Sequence, residues 1–479
     1  MKSRLLLLTG LLALALPAFA ATPTVFNALD HGIVPDGTTK NTAAIAKAIA
    51  AIKAAGGGTL YFPAGRYLTG SVHLESNLTL HLEAGATLLY SADPADSPIV
   101  PVRWEGTTAW THGPLIYANG KENITITGRG TLDGQGQNWW NPQRSSDPAR
   151  VERSRIAREA WQKLYVRMQQ GGEGGKLARE DFVESAGFNR PSLVVPYDCK
   201  NILIENVTIT NSPMWLLHTI YSENITVRGV SFVSRGPNGD GYDLDSCRNV
   251  RISDCYFDTG DDCIVIKSGK DLDGRRVARP TELVTITNCV MNKGHGAVTI
   301  GSETSGGIRD ITASNIICRG TDRGIRLKTQ RGRGAVIENI RFDNFVIIDA
   351  PKEAIQITSN YSRTDPEPKS ERTPTFRNIA ISNITIVNAA KVVEIAGLAE
   401  QAIEQVRISD LKGTGKLGFT ADAASDLELH DVRVDAAEGP AFTFTNSRRL
   451  LLDNLATTVP PAGGAQVVSV KDCTEVVQR

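Results

Sequence analysis

The sequence predicts an all-β fold: a single-stranded, right-handed parallel β-helix, a solenoid with an N-terminal capping helix and a helical insertion. Three observations carry this. From Asn201 onward a short strand pair joined by Asn, Asp or Gly is restated, beginning at Asn201, Asn224, Asn249, Leu283, Asp310, Asn339, Asn378, Gln405 and Asp426, with Asn77 and Asn123 as earlier instances. Spacings of about 20 to 40 residues are those of a repeat architecture. Within each unit apolar and polar residues alternate, which excludes a helical solenoid and fits strands stacked as rungs about 4.8 Å apart. The 479 residues also run without a linker-like boundary, so repetition rather than a second globular domain accounts for the length.

Lys2 and Arg4 precede an apolar run from Leu5 to Leu16, and Ala18-Phe19-Ala20 supplies a small-x-small cleavage pattern. This is the pattern of a signal peptide over residues 1–20, shorter than the roughly 18 to 20 apolar residues of a bilayer span. The expectation is a secreted or periplasmic β-helical domain over residues 21–479, with no membrane association after cleavage. Lys and Arg number 52 against 52 Asp and Glu, so the large positive excess of a general nucleic-acid binder is missing and any charge preference is local. The seven cysteines lack zinc spacing and are odd in number. They read as core or disulfide residues, with at least one thiol unpaired.

Residues 42–55 form an alanine-rich amphipathic segment followed by Gly56-Gly57-Gly58, a helix placed to cap the open end of the stack. Asn-x-Thr triplets at Asn77, Asn206, Asn224 and Asn383 match the glycosylation pattern, but their fixed place in the repeat favours a structural role. An insertion at about 141–190 interrupts the repeats. Its Trp161, Leu164, Tyr165 and Met168 sit at helical spacing, before Gly171-Gly172-Glu173-Gly174-Gly175. Such a helix packs its apolar stripe on the solenoid; alternatively it walls off one end of a cleft.

One strand recurs in five successive coils, starting at Asp243, Val265, Thr299, Arg326 and Gln356. Leu244, Ile266, Ile300, Leu327 and Ile357 then form an inward stack, and alternation places Asp243, Asp245, Lys267, Arg326 and Lys328 together on an outer face. Three residues before each strand start stand Asp240, Asp262, Gly296, Arg323 and Glu353, with Gly239, Asp261, His295, Asp322 and Lys352 in the next column. Three carboxylates and a histidine therefore converge. Asp-Gly and Gly-Asp pairs also make turns, but carboxylates this close raise one another's pKa and are costly unless used or neutralised. Glycoside hydrolysis uses such a set: one carboxyl protonates the leaving oxygen and another activates water, at a separation of roughly 6.5 to 9.5 Å in inverting enzymes. The neighbouring cations point to an anionic sugar, since Arg presents a planar fork and Lys a compact charge to a carboxylate.

At these residues the chain resembles glycoside hydrolase family 28, the polygalacturonase family. Asn238-Gly239-Asp240-Gly241, Gly260-Asp261-Asp262-Cys263, Gly294-His295-Gly296 and Arg326-Leu327-Lys328 resemble its four signature segments, in order. Supporting likeness runs through Asp36-Gly37-Thr38, Phe62-Pro63-Ala64-Gly65, Asn211-Ser212-Pro213-Met214-Trp215 and Gly301-Ser302-Glu303. The resemblance implies Asp261 as general acid, with Asp240 and Asp262 holding the attacking water. It places His295 beside Asp261 to help maintain its proton, and assigns substrate contacts to Asn238, Arg326, Lys328 and, more loosely, Tyr361.

The implied reaction is inverting hydrolysis of α-1,4-galacturonosyl linkages in a pectic polysaccharide or oligogalacturonide, with no metal or organic cofactor. The glycine-rich segment from Gly301 to Gly307 and the insertion point to exo action. Rhamnogalacturonan or xylogalacturonan remain alternative substrates. A calcium-dependent pectate lyase and a noncatalytic carbohydrate-binding β-helix are the other readings of the same fold, and oligomeric state is open.

Overall fold

The computed structural model describes residues 24–171, 177–460, 464 and 466–479. The predicted leader, and residues 172–175 of the glycine-rich run, lie outside them. Thirty strands form one continuous sheet wound as a right-handed parallel β-helix. In the coils before Thr281 three short strands feed three ladders; from Thr281 onward neighbouring strands merge into longer ones such as Val336–Thr358. The strands Leu217–Ile220, Glu223–Arg228 and Ser231–Ser234 make one coil, and each pairs in parallel with its counterpart in the next: Tyr242–Asp245, Arg248–Ser253 and Tyr256–Thr259. Inward-pointing residues have only one another to pack on. Leu244, Ile266, Ile300, Leu327 and Ile357 are fully buried in line, and Phe232 stacks on Phe257 with ring centroids 4.7 Å apart.

Sharp bends between strands are set by asparagine and aspartate in the left-handed region, which their short polar side chains tolerate better than other residues do. Asn77, Asn206, Asn224 and Asn383 have φ of 59°, 62°, 58° and 56°. The amides also form a ladder: Asn123 donates to Asn77 at 2.7 Å, Asn201 to Asn123 at 3.0 Å, Asn224 to Asn201 at 3.0 Å and Asn249 to Asn224 at 2.7 Å. The triplets thus have the structural role their spacing indicated. All seven cysteines are free thiols, six of them buried.

Helix α1, Thr42–Ala54, buries Ile45, Ala48, Ile49 and Ile52 against the first coils and closes that end of the core. Helix α2, Pro148–Gln170, is the predicted insertion helix; Pro148 opens it and Asp147 accepts a hydrogen bond from Ala149 N–H at its start. Trp161 and Leu164 pack with Trp104, Met214 and Trp215 into a second apolar cluster outside the solenoid. Trp104 belongs to an antiparallel hairpin, Ile99–Trp104 and Thr107–His112, the one departure from parallel pairing among the described residues. Its turn, Glu105-Gly106, has φ of 43° and 74°, the positive values a two-residue type I′ hairpin turn needs.

Replacing Asn224 separates the two contributions of this ladder. Asn224→Ala loses its amide bonds and also takes on left-handed strain of about 1–2 kcal/mol, whereas Asn224→Gly loses the bonds alone. Urea midpoints should fall in the order wild type, Gly, Ala; equal midpoints for Gly and Ala would show that strain at this bend is not what asparagine relieves.

Candidate active site

The site is assembled by the bends that precede one ladder of strands. Gly241 N–H donates to Asp262 O at 3.0 Å, Cys263 N–H to Gly296 O at 2.8 Å and Ala297 N–H to Arg323 O at 2.9 Å. The column Asp240, Asp262, Gly296, Arg323 read from the repeats is therefore real. In the next column His295 N–H donates to Asp261 O at 3.0 Å. Asp240 and Asp262 are buried and Asp261 is half-buried beside them. One oxygen from each of the three lies within 4.8 Å of the others. Asp240 thus faces Asp261 and Asp262 across one rung.

Asp262 is the best-paired member. Arg326 Nη1 lies 2.9 Å from its Oδ1 and Lys328 Nζ 2.7 Å from its Oδ2. Burial by itself would raise its pKa, but Lys328 and Arg326 outweigh that and hold the carboxyl well below the usual range. Arg326 comes from two rungs away, and Gly296 on the intervening rung leaves the gap it passes through. A Cβ there would stand 2.2 Å from Thr299 Oγ1, 2.8 Å from Asp262 Oδ1 and 3.2 Å from Arg326 Cδ.

Asp240 has the opposite environment. Burial first, then the charges of Asp243 and Asp261, push its pKa well up, and its Oδ1 is buried without a protein partner among the described residues. His295 Nδ1 lies 2.9 Å from Asp261 Oδ1, and this hydrogen bond raises the imidazole pKa. Tyr361 stands at the edge, with Arg326 5.6 Å and Lys328 5.2 Å from its ring centroid. Asn238 is held by Arg190, whose guanidinium donates to Asn238 Oδ1 at 2.6 Å and to Pro213 O and Pro237 O at 2.6 and 2.7 Å.

The predicted outer face exists but is not open. Asp243, Asp245, Lys267, Arg326 and Lys328 are all buried: Arg103 of the hairpin and Glu303 take up the first three as a network, while Arg326 and Lys328 lie between Asp262 and the Tyr361 ring. Lys267 Nζ is 2.6 Å from Glu303, 3.5 Å from Asp243 and 4.5 Å from the Trp215 ring centroid. Asp245 turns away to a fully buried Arg103 at 2.8 Å. The repeats placed Lys267 among the cations set against an anionic sugar, but Glu303 and Asp243 take it up. Sequence reasoning gave no role to Arg103, Arg190 or Glu303; of these only Glu303 carried a signal, its place in the Gly301-Ser302-Glu303 segment.

Three clustered carboxylates offer oxygens to a hard cation. Both oxygens of Asp262 are already engaged by a cation, however, so the donor set fits an ion poorly. What the arrangement does provide is an ionised carboxylate, a carboxyl driven toward its protonated form and a third carrying a histidine, all facing one cleft. A β-helix carrying that set is equipped for acid/base cleavage of a saccharide bond.

The glycosyl hydrolases family 28 model matches residues 169–454, and the chain belongs to this family; it is a glycoside hydrolase. Residues 25–87 match a second model, rhamnogalacturonase A/epimerase, pectate lyase-like. The chain is 33% identical over 396 residues to a probable polygalacturonase of Vitis vinifera, covering 80% of this chain and 73% of that one. It is 29% identical over 459 residues to an exo-poly-alpha-D-galacturonosidase of Dickeya chrysanthemi, covering 89% and 72%. The crystal structure of an exopolygalacturonase from Thermotoga maritima superposes with a TM-score of 0.76 at 34% identity, over 86% of this chain and 91% of that one.

The Asp262 contacts have a pH signature. Its pKa is lower folded than unfolded, so its stabilisation is complete above the unfolded carboxylate value and is lost as pH falls through the depressed folded one. Gly296→Ala, which crowds this contact, should cost about 1–3 kcal/mol in urea at neutral pH. That penalty should shrink on acidification below about pH 4; a penalty independent of pH would place the damage elsewhere.

Proposed function

We propose that the protein hydrolyses α-1,4-galacturonosyl linkages of pectic galacturonan by single displacement, working from a chain end. The observation that carries the substrate is Arg326 and Lys328 side by side at the cleft, a paired cation suited to a sugar carboxylate. In the empty site both hold Asp262. A substrate carboxylate competes for them, weakens their hold and raises the basicity of Asp262 toward what a general base needs. A neutral sugar leaves the base locked as a weak one, so substrate charge serves catalysis as well as binding.

Asp261, the most accessible of the three carboxylates, donates the proton to the leaving oxygen. His295 stabilises the carboxylate left behind and offers a route for the proton's return. Asp262 takes the proton of the attacking water, which Asp240 orients through its unpartnered oxygen. Attack by this water, in place of attack by a carboxylate, inverts the anomeric configuration. Asn238 and Tyr361 border the sugar.

Support for exo action comes from α2. The helix packs through Trp161 and Leu164 onto Trp104 and Trp215, and Tyr165 Oη lies 2.5 Å from Asp271 at the start of helix α3, Asp271–Val277. It thereby walls one end of the cleft, and relatives named as exo-acting match this chain. Export rests on the leader pattern of residues 1–20, to be checked by sequencing the mature N-terminus. Among the described residues no helix is long and apolar enough to cross a membrane.

Two outcomes test this reading. Asp261→Asn should fold normally and lose about a hundredfold to ten-thousandfold in turnover; near-normal rates would remove Asp261 from the acid role. On long polygalacturonate the intact protein should release small products while viscosity falls slowly. Replacing residues 142–187 by a short Gly/Ser linker should bring an early viscosity drop. A rapid drop with the intact protein would overturn exo action.

A further inference from the structure

Between α2 and the hairpin lies a cavity of about 830 Å³ that adjoins the active site at Pro237 and Asn238, two residues before Asp240. From α2 it receives Arg150, Ser154 and Arg158, one ridge at i, i+4 spacing, with Arg153 beside them. Trp139 and Phe188 contribute flat apolar walls.

The arginines of this ridge are not consumed by internal partners. Arg158 makes no ion pair among the described residues. Arg150 donates to the backbone oxygen of Asn138, and the nearest carboxylate to Arg153 is an exposed Asp147 at 3.7 Å. By contrast, Arg155, which does not line the cavity, is taken up by Glu152 and Glu159 at 2.6 and 2.5 Å. Arg190 also reaches the cavity, but its donors already serve Pro213, Pro237 and Asn238. Glu105 is the one carboxylate lining it among the described residues, and burial raises its pKa, which lessens its opposing charge.

We propose that this cavity binds the carboxylate of a second uronic-acid residue, remote from the bond that is cut, with Arg150 and Arg158 as specificity-determining residues. The proposal rests on the galacturonan reading of the active site. The carboxylate at the cleaved bond is met by Arg326 and Lys328, on the far side of Asp240 from this cavity, so the cations of α2 serve a different sugar. The volume lies in the range of about 300–1,000 Å³ typical of ligand pockets and exceeds what one sugar ring fills. Aromatic walls suit the faces of a pyranose, and guanidinium groups exposed in the empty cavity strengthen once a ligand excludes water from them.

The test uses trigalacturonate and two derivatives, each methyl-esterified on the sugar at one end only. Wild-type protein should show a KM raised about tenfold for one of the two esters, with kcat little changed. The double variant Arg150→Gln/Arg158→Gln should show that raised KM with unmodified trigalacturonate and no longer distinguish that ester, at unchanged melting temperature. A variant that keeps the wild-type KM, or keeps the ester discrimination, overturns the proposal. Calorimetric binding of trigalacturonate to Asp261→Asn protein, with and without the two arginine substitutions, gives a readout independent of turnover. Affinity lowered about tenfold supports the cavity even if no bond is cut, in which case the hydrolase reading alone fails; equal affinity sinks the cavity.

Discussion

A carboxylate buried as deeply as Asp262 remains ionised only because two cations reach it from a rung it does not touch. Arg326 and Lys328 alternate with inward-facing Leu327 on one strand, so strand periodicity itself delivers both to the same side. The stack fixes how far they must reach, and Gly296 leaves the space between. Burial opposes ionisation of Asp240, and the charges of Asp243, Asp261 and, last, Asp262 add to that. Asp262 and Asp240, like groups on neighbouring rungs, are thereby pushed toward unlike states.

The charges beneath the cleft are arranged to stay out of that chemistry. Lys267 with Glu303 and Asp243, and Arg103 with Asp245, form separate buried networks. Pairing of this kind adds little net stability, but removing one partner leaves an uncompensated buried charge. Their effect is to occupy Asp243, Asp245 and Lys267 on the ladder face, leaving Arg326 and Lys328 with the neighbouring bends at the cleft. The hairpin that carries Arg103 and the helix that packs on neighbouring Trp104 are thus coupled to the solenoid through a charge as well as through an apolar cluster.

The solenoid was legible because its physics is local and repeated. Period-two alternation marks inward residues, and Asn or Asp at each bend marks the left-handed residue, so five strands could be laid in register and the site column read directly. Distances were not legible: the column gives adjacency, while the separation depends on rung spacing and on which way each carboxylate turns. Nor was the burial of the outer face, which depends on the hairpin, a single non-repeating element whose strands resemble neighbouring irregular chain. Arg103 and Arg190 gave no signal because their partners lie 142 and 48 residues away in sequence and recur in no pattern.

This division follows how the molecule is built. Residues that do chemistry sit in the repeat, where register holds them to a fraction of a rung and one substitution disturbs the neighbours above and below. Residues of α2 sit outside the stack and are secured to it by side chains alone, chiefly Trp161, Leu164 and Tyr165. Their identities can change without altering any rung, so the length and charge of substrate admitted can vary while the cleavage machinery stays fixed. An arginine ridge on α2 therefore concerns which chain end enters and not how the bond breaks.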